Sequence, residues 1–542
     1  MPVLIVLLIF SLIARSAEIP KCDDKTADEK VKKGYTAQAG NRTLEAVDLY
    51  NEAIKADPKC SDARYEIGWS YWKLGEWQKV VDTWEAALKL DPTHKLIPQF
   101  MPAAKDNLKV INSGAKTNQF RKNVDIFSQS LPEQSPVKLS LINRWQSYNS
   151  KIEVKNDHYD QDIFSPKSVS FSDSGDMAFV QSLEGAKTLF FKSDGSEKVA
   201  VIKHQFDKDA IAKLADKKPP FSYKQDSKMT KGFTGKPVES IVTHGSKYLW
   251  TTYYRKNYDE LGQLTSAVAI VDIKDQKIVR IMGTGPISKY IEKSPDQKWM
   301  AISNWGDNTV GVYNISGSKP EEFKEHQLLI VEKKHSLKNL KSNRDKDCGF
   351  CVRGLAFSHD SQYLFVTRMK GGGISIFKKD GKDKFEFLGT VMGLQPGPRD
   401  IHFSKDGKDI FIGCNSSGTI VKVPFKSMID LFVDHVGEKI DITGTDFKYD
   451  KKFVGLGVRS FKVHPKFDYL FLTSNNGSEI IIAKSTDLSV LGRVPVDSYP
   501  VGLSISPDGK YLWVTSQGKE SQGGNSVSVF LITEYLKNQI KM

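Results

Sequence analysis

Arg353-Gly354, Arg399-Asp400 and Arg459-Ser460 each open a short alternating apolar segment, and Lys167-Ser168 does the same nearer the N-terminus. A guanidinium presents a planar fork of donors that fits carboxylate or phosphate oxygens, so cations recurring at one structural position are candidates to hold an anion. Aligned on the residue before the Gly, Asp or Ser that opens each segment, the column reads Lys167, Val238, Ser288, Arg353, Arg399, Arg459 and Val501. The next column reads Ser168, Glu239, Lys289, Gly354, Asp400, Ser460 and Gly502, which sets carboxylates beside the cations. Neighbouring loops add Trp305 with Asp307, Arg255-Lys256, and Arg368 with Lys370 ahead of Gly371-Gly372-Gly373. Two readings stand together. The cations hold an anionic group, or Arg353 and Arg399 pair with Asp400, Glu239 or backbone carbonyls; buried charges need a partner in either case.

A repeated element must position these columns. The cassette Ser506-Pro507-Asp508-Gly509-Lys510, followed by the alternating strand Tyr511-Leu512-Trp513-Val514-Thr515, has six relatives upstream, beginning at Ser172, Thr243, Ser294, Ser358, Ser404 and His464. Pro presets φ and Gly or Asp tolerates positive φ, so each cassette reads as a tight turn between a short apolar strand and an aromatic, β-branched one. Successive starts lie 42 to 71 residues apart, room for four antiparallel strands and a variable loop. Seven such units predict a mainly β chain, a seven-bladed β-propeller spanning 138–542. Innermost strands of a propeller begin beside a central channel, so each aligned column becomes a ring. Residues 138–160 are expected to supply a strand to the last blade.

At these residues the chain resembles the YVTN-type β-propeller repeat family. Blade seven carries the closest copy, with Asn525-Ser526-Val527-Ser528-Val529 as its second half, and blade three keeps Asn308-Thr309-Val310-Gly311-Val312, whereas the blade-two turn lacks Pro, Asp and Gly. The resemblance implies the fold. It leaves function open, because such propellers serve unrelated roles. Relatives include lactone hydrolases and lyases, which would place Glu239, Asp307, Asp400 and the three Arg at a channel-mouth site, although no catalytic residue is carried over by motif. His402, between Ile401 and Phe403, is expected to pack between sheets.

The N-terminal part repeats at a different period. An offset of 34 residues pairs Asp91-Pro92 with Asp57-Pro58, Gly68 with Gly34, Trp84 with Tyr50 and Ala87 with Ala53. This resembles two tetratricopeptide repeats, about 25–58 and 59–92, within a small all-α domain spanning 24–111. Residues 94–111 would supply the capping helix that so short an array needs. The Asn-, Ser- and Gln-rich stretch 112–137, with Leu131-Pro132 and Ser135-Pro136, reads as a linker.

The apolar run Val3 to Ala14 is too short to span a bilayer and, with Ala14, Ser16 and Ala17 behind it, reads as a signal peptide over residues 1–17. Export to a periplasm or cell surface is expected, not integral membrane insertion. Lipid anchoring through Cys22 is weakened by the poor lipobox Ile19-Pro20-Lys21. An oxidising compartment suits a Cys22–Cys60 disulfide joining the ends of the first hairpin. Cys348-Gly349-Phe350-Cys351 is read as a loop-locking disulfide, with a redox pair or half a metal site as alternatives that no second CxxC or following His supports. Cys414 reads as a small buried residue.

The formal charge of +13 favours acidic partners. Scattered Lys without a helix-turn-helix, zinc-finger or aromatic RNA-reading motif argues against nucleic acid. No G-x-S-x-G elbow, P-loop, H-E-x-x-H or dinucleotide fingerprint is present, so neither a cofactor nor a metal is expected. The expectation is an exported binding or scaffold protein. Its helical repeats would take a protein partner and its basic channel mouth an anionic ligand or envelope polymer; the alternative is an enzyme of the lactone-hydrolase or lyase type.

Overall fold

The computed structural model describes residues 22–39, 43–74, 77–94, 96–112, 137–152, 155–336, 343–518 and 525–534. The expected signal segment 1–17, and all but the two ends of the expected linker 112–137, lie outside the described residues.

Seven sheets form a mainly β propeller, antiparallel except where Asp157–Tyr159 and Lys439–Asp441 add parallel edge strands. Their innermost strands are Pro166–Phe171, Phe233–Thr243, Ser288–Lys293, Val352–Phe357, Pro398–Phe403, Val458–Val463 and Pro500–Ile505, for blades one to seven. The cassette shows why the turns recur. In blade seven the Ser506 hydroxyl donates to Asp508 Oδ1 at 2.6 Å and accepts from Tyr511 N at 2.9 Å, while Gly509 takes the left-handed φ of 77°. The same Ser-to-Asp bond closes the turns at Ser294, Ser358 and Ser404. Blade six substitutes a ring for this pair: His464 Nδ1 accepts from Lys466 N and Phe467 N. Blade two, without the motif, holds His244 and Ser246 at φ 56° and 67°.

The chain closes its own ring. Val137–Gln146 pairs antiparallel with the last strand, Ser526–Glu534, from Val137 opposite Glu534 to Gln146 opposite Ser526. Val137, Leu139 and Leu141 are buried among Phe530, Leu512 and Leu503 of blade seven and Phe471, Ile482 and Val494 of blade six. Arg144 clasps the seam, donating to Asp157 at 3.1 and 2.6 Å and to Asp497 at 3.3 Å.

Among the described residues five helices precede the propeller: α1 (Lys25–Ala39), α2 (Thr43–Ala56), α3 (Ser61–Leu74), α4 (Trp77–Leu90) and α5 (Ile97–Asn112). The 34-residue offset is a repeated contact. A Cβ on Gly34 would stand 2.8 Å from the Tyr50 ring and one on Gly68 2.1 Å from that of Trp84, so each glycine admits the aromatic of the partner helix. Both hairpins end alike, with Asp57 N and Asp91 N bonded four residues back to Ala53 O and Ala87 O ahead of their Pro. Cys22 and Cys60 are joined by a disulfide with Cα atoms 5.3 Å apart. No helix among the described residues is long and apolar enough to cross a membrane.

The helices rest on the propeller. Trp72 of α3 and Phe100 of α5 meet Phe453 edge-on, with ring centroids 5.4 and 5.8 Å apart, and Leu456 completes the same apolar cluster. Phe453 to Gly457 leads from blade five into the innermost strand of blade six, so the helices sit on the connection that delivers Arg459.

Candidate functional site

Each innermost strand slips register near its start. The slips fall between Pro166 and Val169, Pro237 and Glu239, Ser288 and Tyr290, Val352 and Leu355, Pro398 and Asp400, Val458 and Phe461, and Pro500 and Gly502. A bulge leaves an extra residue unpaired and re-aims its side chain, here toward the channel. In all seven blades the residue just before the strand carries positive φ: Ser165, Gly232, Ile287, Cys351, Gly397, Gly457 and Tyr499. At Ile287, φ 51°, this is a costly conformation for a β-branched side chain, of order 1–2 kcal/mol, held in place by burial.

The bulges correct one column. Ser288 pairs with Asn304 as Pro398 pairs with Cys414, so Ser288 belongs to the row of strand-opening residues, and its hydroxyl is buried against Thr284. Lys289 takes the bulge position. The ring is therefore Lys167, Val238, Lys289, Arg353, Arg399, Arg459 and Val501, with five cations among its seven members. The following row is Ser168, Glu239, Tyr290, Gly354, Asp400, Ser460 and Gly502.

The five cations repel one another. Burial, then the charges of Arg459, Lys289, Arg399 and Arg353, hold the Lys167 ammonium well below its usual range. Burial, then Arg353 and Arg459, do the same to the Arg399 guanidinium. Direct compensation is sparse. Arg353 Nη2 donates to Glu239 Oε1 at 3.0 Å, and Lys289 Nζ donates to Asp345 Oδ1 at 2.6 Å while lying over the Tyr254 and Trp305 rings at 4.4 and 4.7 Å. Arg399 Nε donates to the Arg459 carbonyl at 3.1 Å. Arg353 Nε and Nη1 and Arg459 Nε are buried without a hydrogen-bond partner among the described residues. An unmade bond from a buried charged donor costs a few kcal/mol, so these groups are primed for an acceptor.

A second layer lies deeper. Ser168, Glu239, Tyr290, Glu292, Asp400 and Lys462 line a cavity of about 280 Å³ that reaches Pro507 of the blade-seven cassette. His402 packs between sheets, as expected. Its Nε2 lies 3.5 Å from Asp400 Oδ1 and 3.4 Å from Lys462 Nζ, and its ring stands edge-on to Phe461 in the innermost strand of blade six, so it lies between blades five and six beside this layer. Burial would raise the Asp400 carboxyl, but His402, Lys462 and Arg353 outweigh it and hold it below the usual range. Burial pushes Glu292 up to about 7, against the opposing pull of Lys462 and Lys293. The sign is that of an acid raised on folding: the cost of ionising Glu292 is absent below the unfolded value of 4.5 and complete above about 7. Glu292→Gln is therefore expected to gain about 2–3 kcal/mol over the parent at about pH 8 and nothing at about pH 4, read from urea unfolding at both. An equal gain at both would refute a buried, reluctant acid.

Of three further expected site residues, one stays with the ring and two do not. Trp305 is at the mouth, beneath Lys289, with its Nε1 donating to Asp345 O at 3.2 Å. Asp307 faces elsewhere: it accepts from Tyr223 OH at 2.5 Å and Thr309 Oγ1 at 2.8 Å, and burial pushes it up to about 6. Tyr223 borders a second cavity of about 800 Å³ with Asp226, Lys334 and His335. Arg368 lies over the Phe350 ring at 3.9 Å and pairs with Glu332, so it too has its own partners outside the ring. Cys348 and Cys351 form a disulfide, buried with Ile287 and Trp305, that ties the loop carrying Asp345 to the strand carrying Arg353. Lys289, Glu292, Lys462 and Asp345 were not singled out in the sequence as site residues. A signal existed for the first, since counting five residues back from every cassette start lands on the ring in all seven blades.

No protein-family model matches the chain, and no curated protein matches it significantly. Solved structures similar to it include Kuenenia stuttgartiensis hydrazine synthase, at 13% identity over 70% of this chain and 99% of that one with a TM-score of 0.46. The β-propeller domain of Myceliophteria thermophila Cps50 (Swd1) is similar at 12% identity over 68% and 96%, TM-score 0.44. A functionally unknown protein from Desulfotomaculum acetoxidans is similar at 13% over 74% and 98%, TM-score 0.43. Likeness at this level carries no functional conclusion for the chain.

Proposed function

We propose that this chain is an exported, cell-envelope binding or scaffold protein, with YVTN-type blades that hold an anionic group at the cation ring and tetratricopeptide-type hairpins that engage a protein. One observation carries the first half: five mutually repelling cations converge on the channel and, among the described residues, only Glu239 and Asp345 are directly paired carboxylates and three guanidinium N–H groups are left without acceptors. A ring built only to close the channel would pair its charges. The small-residue and aromatic contacts of the helical hairpins support the second half, and the paired cysteines of both modules suit an oxidising compartment.

The test is a panel of anions of different shape and charge screened for a rise in melting temperature of the full chain, repeated with Arg353, Arg399 and Arg459 all replaced by Ala. A saturable rise that disappears in the triple variant is expected. Absence of any anion-specific rise would refute the reading.

The deeper layer favours a second reading, an enzyme of the lactone-hydrolase or lyase type, because Glu292, pushed up to about 7 by burial, lines the same cavity as Asp400, which lies beside His402. Turnover of a lactone panel that Glu239→Gln or Asp400→Asn abolishes would establish it over the first.

A further inference from the structure

Resting on the anion-binding reading, we infer that the ring selects a tetrahedral dianion, inorganic phosphate or a phosphate monoester, over planar carboxylates, and that Asp345 is its resident competitor. The directions of the donors argue for the shape. A carboxylate offers two oxygens in one plane and is served by a single cation, as Glu239 is by Arg353 and Asp345 by Lys289. The buried donors without acceptors among the described residues come from two sides of the channel, the Nε and Nη1 of Arg353 from blade four and the Nε of Arg459 from blade six, and Lys167 of blade one and Arg399 of blade five complete the circle of charge around them. Donors arriving from around an axis match three or four oxygens that point in different directions.

The charge argues for the valence. Five cations face two directly paired carboxylates, while Asp400, one row deeper, is turned to His402 and to the backbone N–H of Phe461. A monoanion would leave most of the excess in place; a dianion removes most of it. Asp345 argues for the competition. It reaches Lys289 from the disulfide-tied loop, and its side chain remains 40% exposed against 17% for Lys289. Where a soluble anion binds among the other four cations, this fixed carboxylate opposes it through the same field.

The experiment is titration calorimetry of the full chain with inorganic phosphate, glycerol phosphate, sulfate and citrate at matched ionic strength. Phosphate and glycerol phosphate are expected to bind, sulfate to compete with them, and citrate to bind at least about tenfold more weakly. Asp345→Asn is expected to tighten phosphate binding about threefold to tenfold, a gain that no loss of fold can mimic. The Arg353→Ala, Arg459→Ala double variant is expected to lose it. Binding of citrate without phosphate would overturn the selection for a tetrahedral dianion and leave the broader anion reading standing; binding of no anion would remove both. Phosphate affinity that is unchanged in the double variant, or no tighter in Asp345→Asn, overturns the placement among these cations.

Discussion

Leu139→Asp, one substitution in the closing strand, is expected to cost about 4 kcal/mol or more and to abolish a single cooperative unfolding transition. Leu139 is fully buried opposite Ile532, within the cluster that joins blades six and seven. A carboxylate there meets apolar side chains only, so it must either ionise at large cost or remain a neutral acid without a partner. The consequence exceeds one site, because the strand is what joins the two ends of the circle. If Val137–Gln146 detaches, the last strand exposes a row of unpaired backbone groups and blade six loses the face it packs against. Net stabilities of folded domains are of order 5–15 kcal/mol, so a defect of this size consumes much of the total. Urea unfolding followed by tryptophan fluorescence is the measurement. A conservative Leu139→Val control should lose only about 1 kcal/mol, since it removes volume and leaves the ladder intact. An aspartate variant that unfolds like that control would mean the ring holds without its clasp.

What could be read before the structure follows from which signals are local. Blade number was visible because the Ser-x-Asp turn is a self-contained device, a hydroxyl bonded to a carboxylate two residues on, and it leaves the same letters in blade after blade. The helical offset was visible because Gly68 and Trp84 must be small and large together. The ring was seen only in part. A bulge has no letter code, so the frame in blade three rested on Ser288 looking like the other strand openers, and it slipped one residue from Lys289. His402 could be placed between sheets from the alternation of Ile401, His402 and Phe403, and there it meets Phe461 of the next blade. Asp307 and Arg368 were grouped with the ring because loops on one face of a propeller look equivalent in sequence. Tyr223 and Glu332, both from distant segments, draw them to separate partners. Asp345 was invisible as a site residue, since nothing in a lysine-rich loop announces that one carboxylate reaches Lys289 in the channel.

Arg399→Met is expected to raise stability by about 1–2 kcal/mol at low ionic strength while abolishing the anion-induced rise in melting temperature. Burial and then the charges of Arg353 and Arg459 depress the Arg399 guanidinium well below its usual range, so its charged form, the one present at neutral pH, is disfavoured by folding. Replacing it with an unbranched apolar chain removes that cost and places sulfur beside Met369, whose Sδ already lies 3.1 Å from Arg399 Nη1. Against this stands the lost bond from Nε to the Arg459 carbonyl, worth about 1 kcal/mol. The repulsive terms are the larger, which fixes the sign. The sign also separates the two accounts of the ring, because a cation installed only to close the channel contributes stability and its removal must lower it. Urea unfolding of the parent and variant, with and without phosphate, reads both quantities at once. A stabilised chain that phosphate no longer stabilises further is the signature of a residue kept for binding at the expense of the fold; a destabilised one would make Arg399 a structural bolt and return the ring to internal pairing.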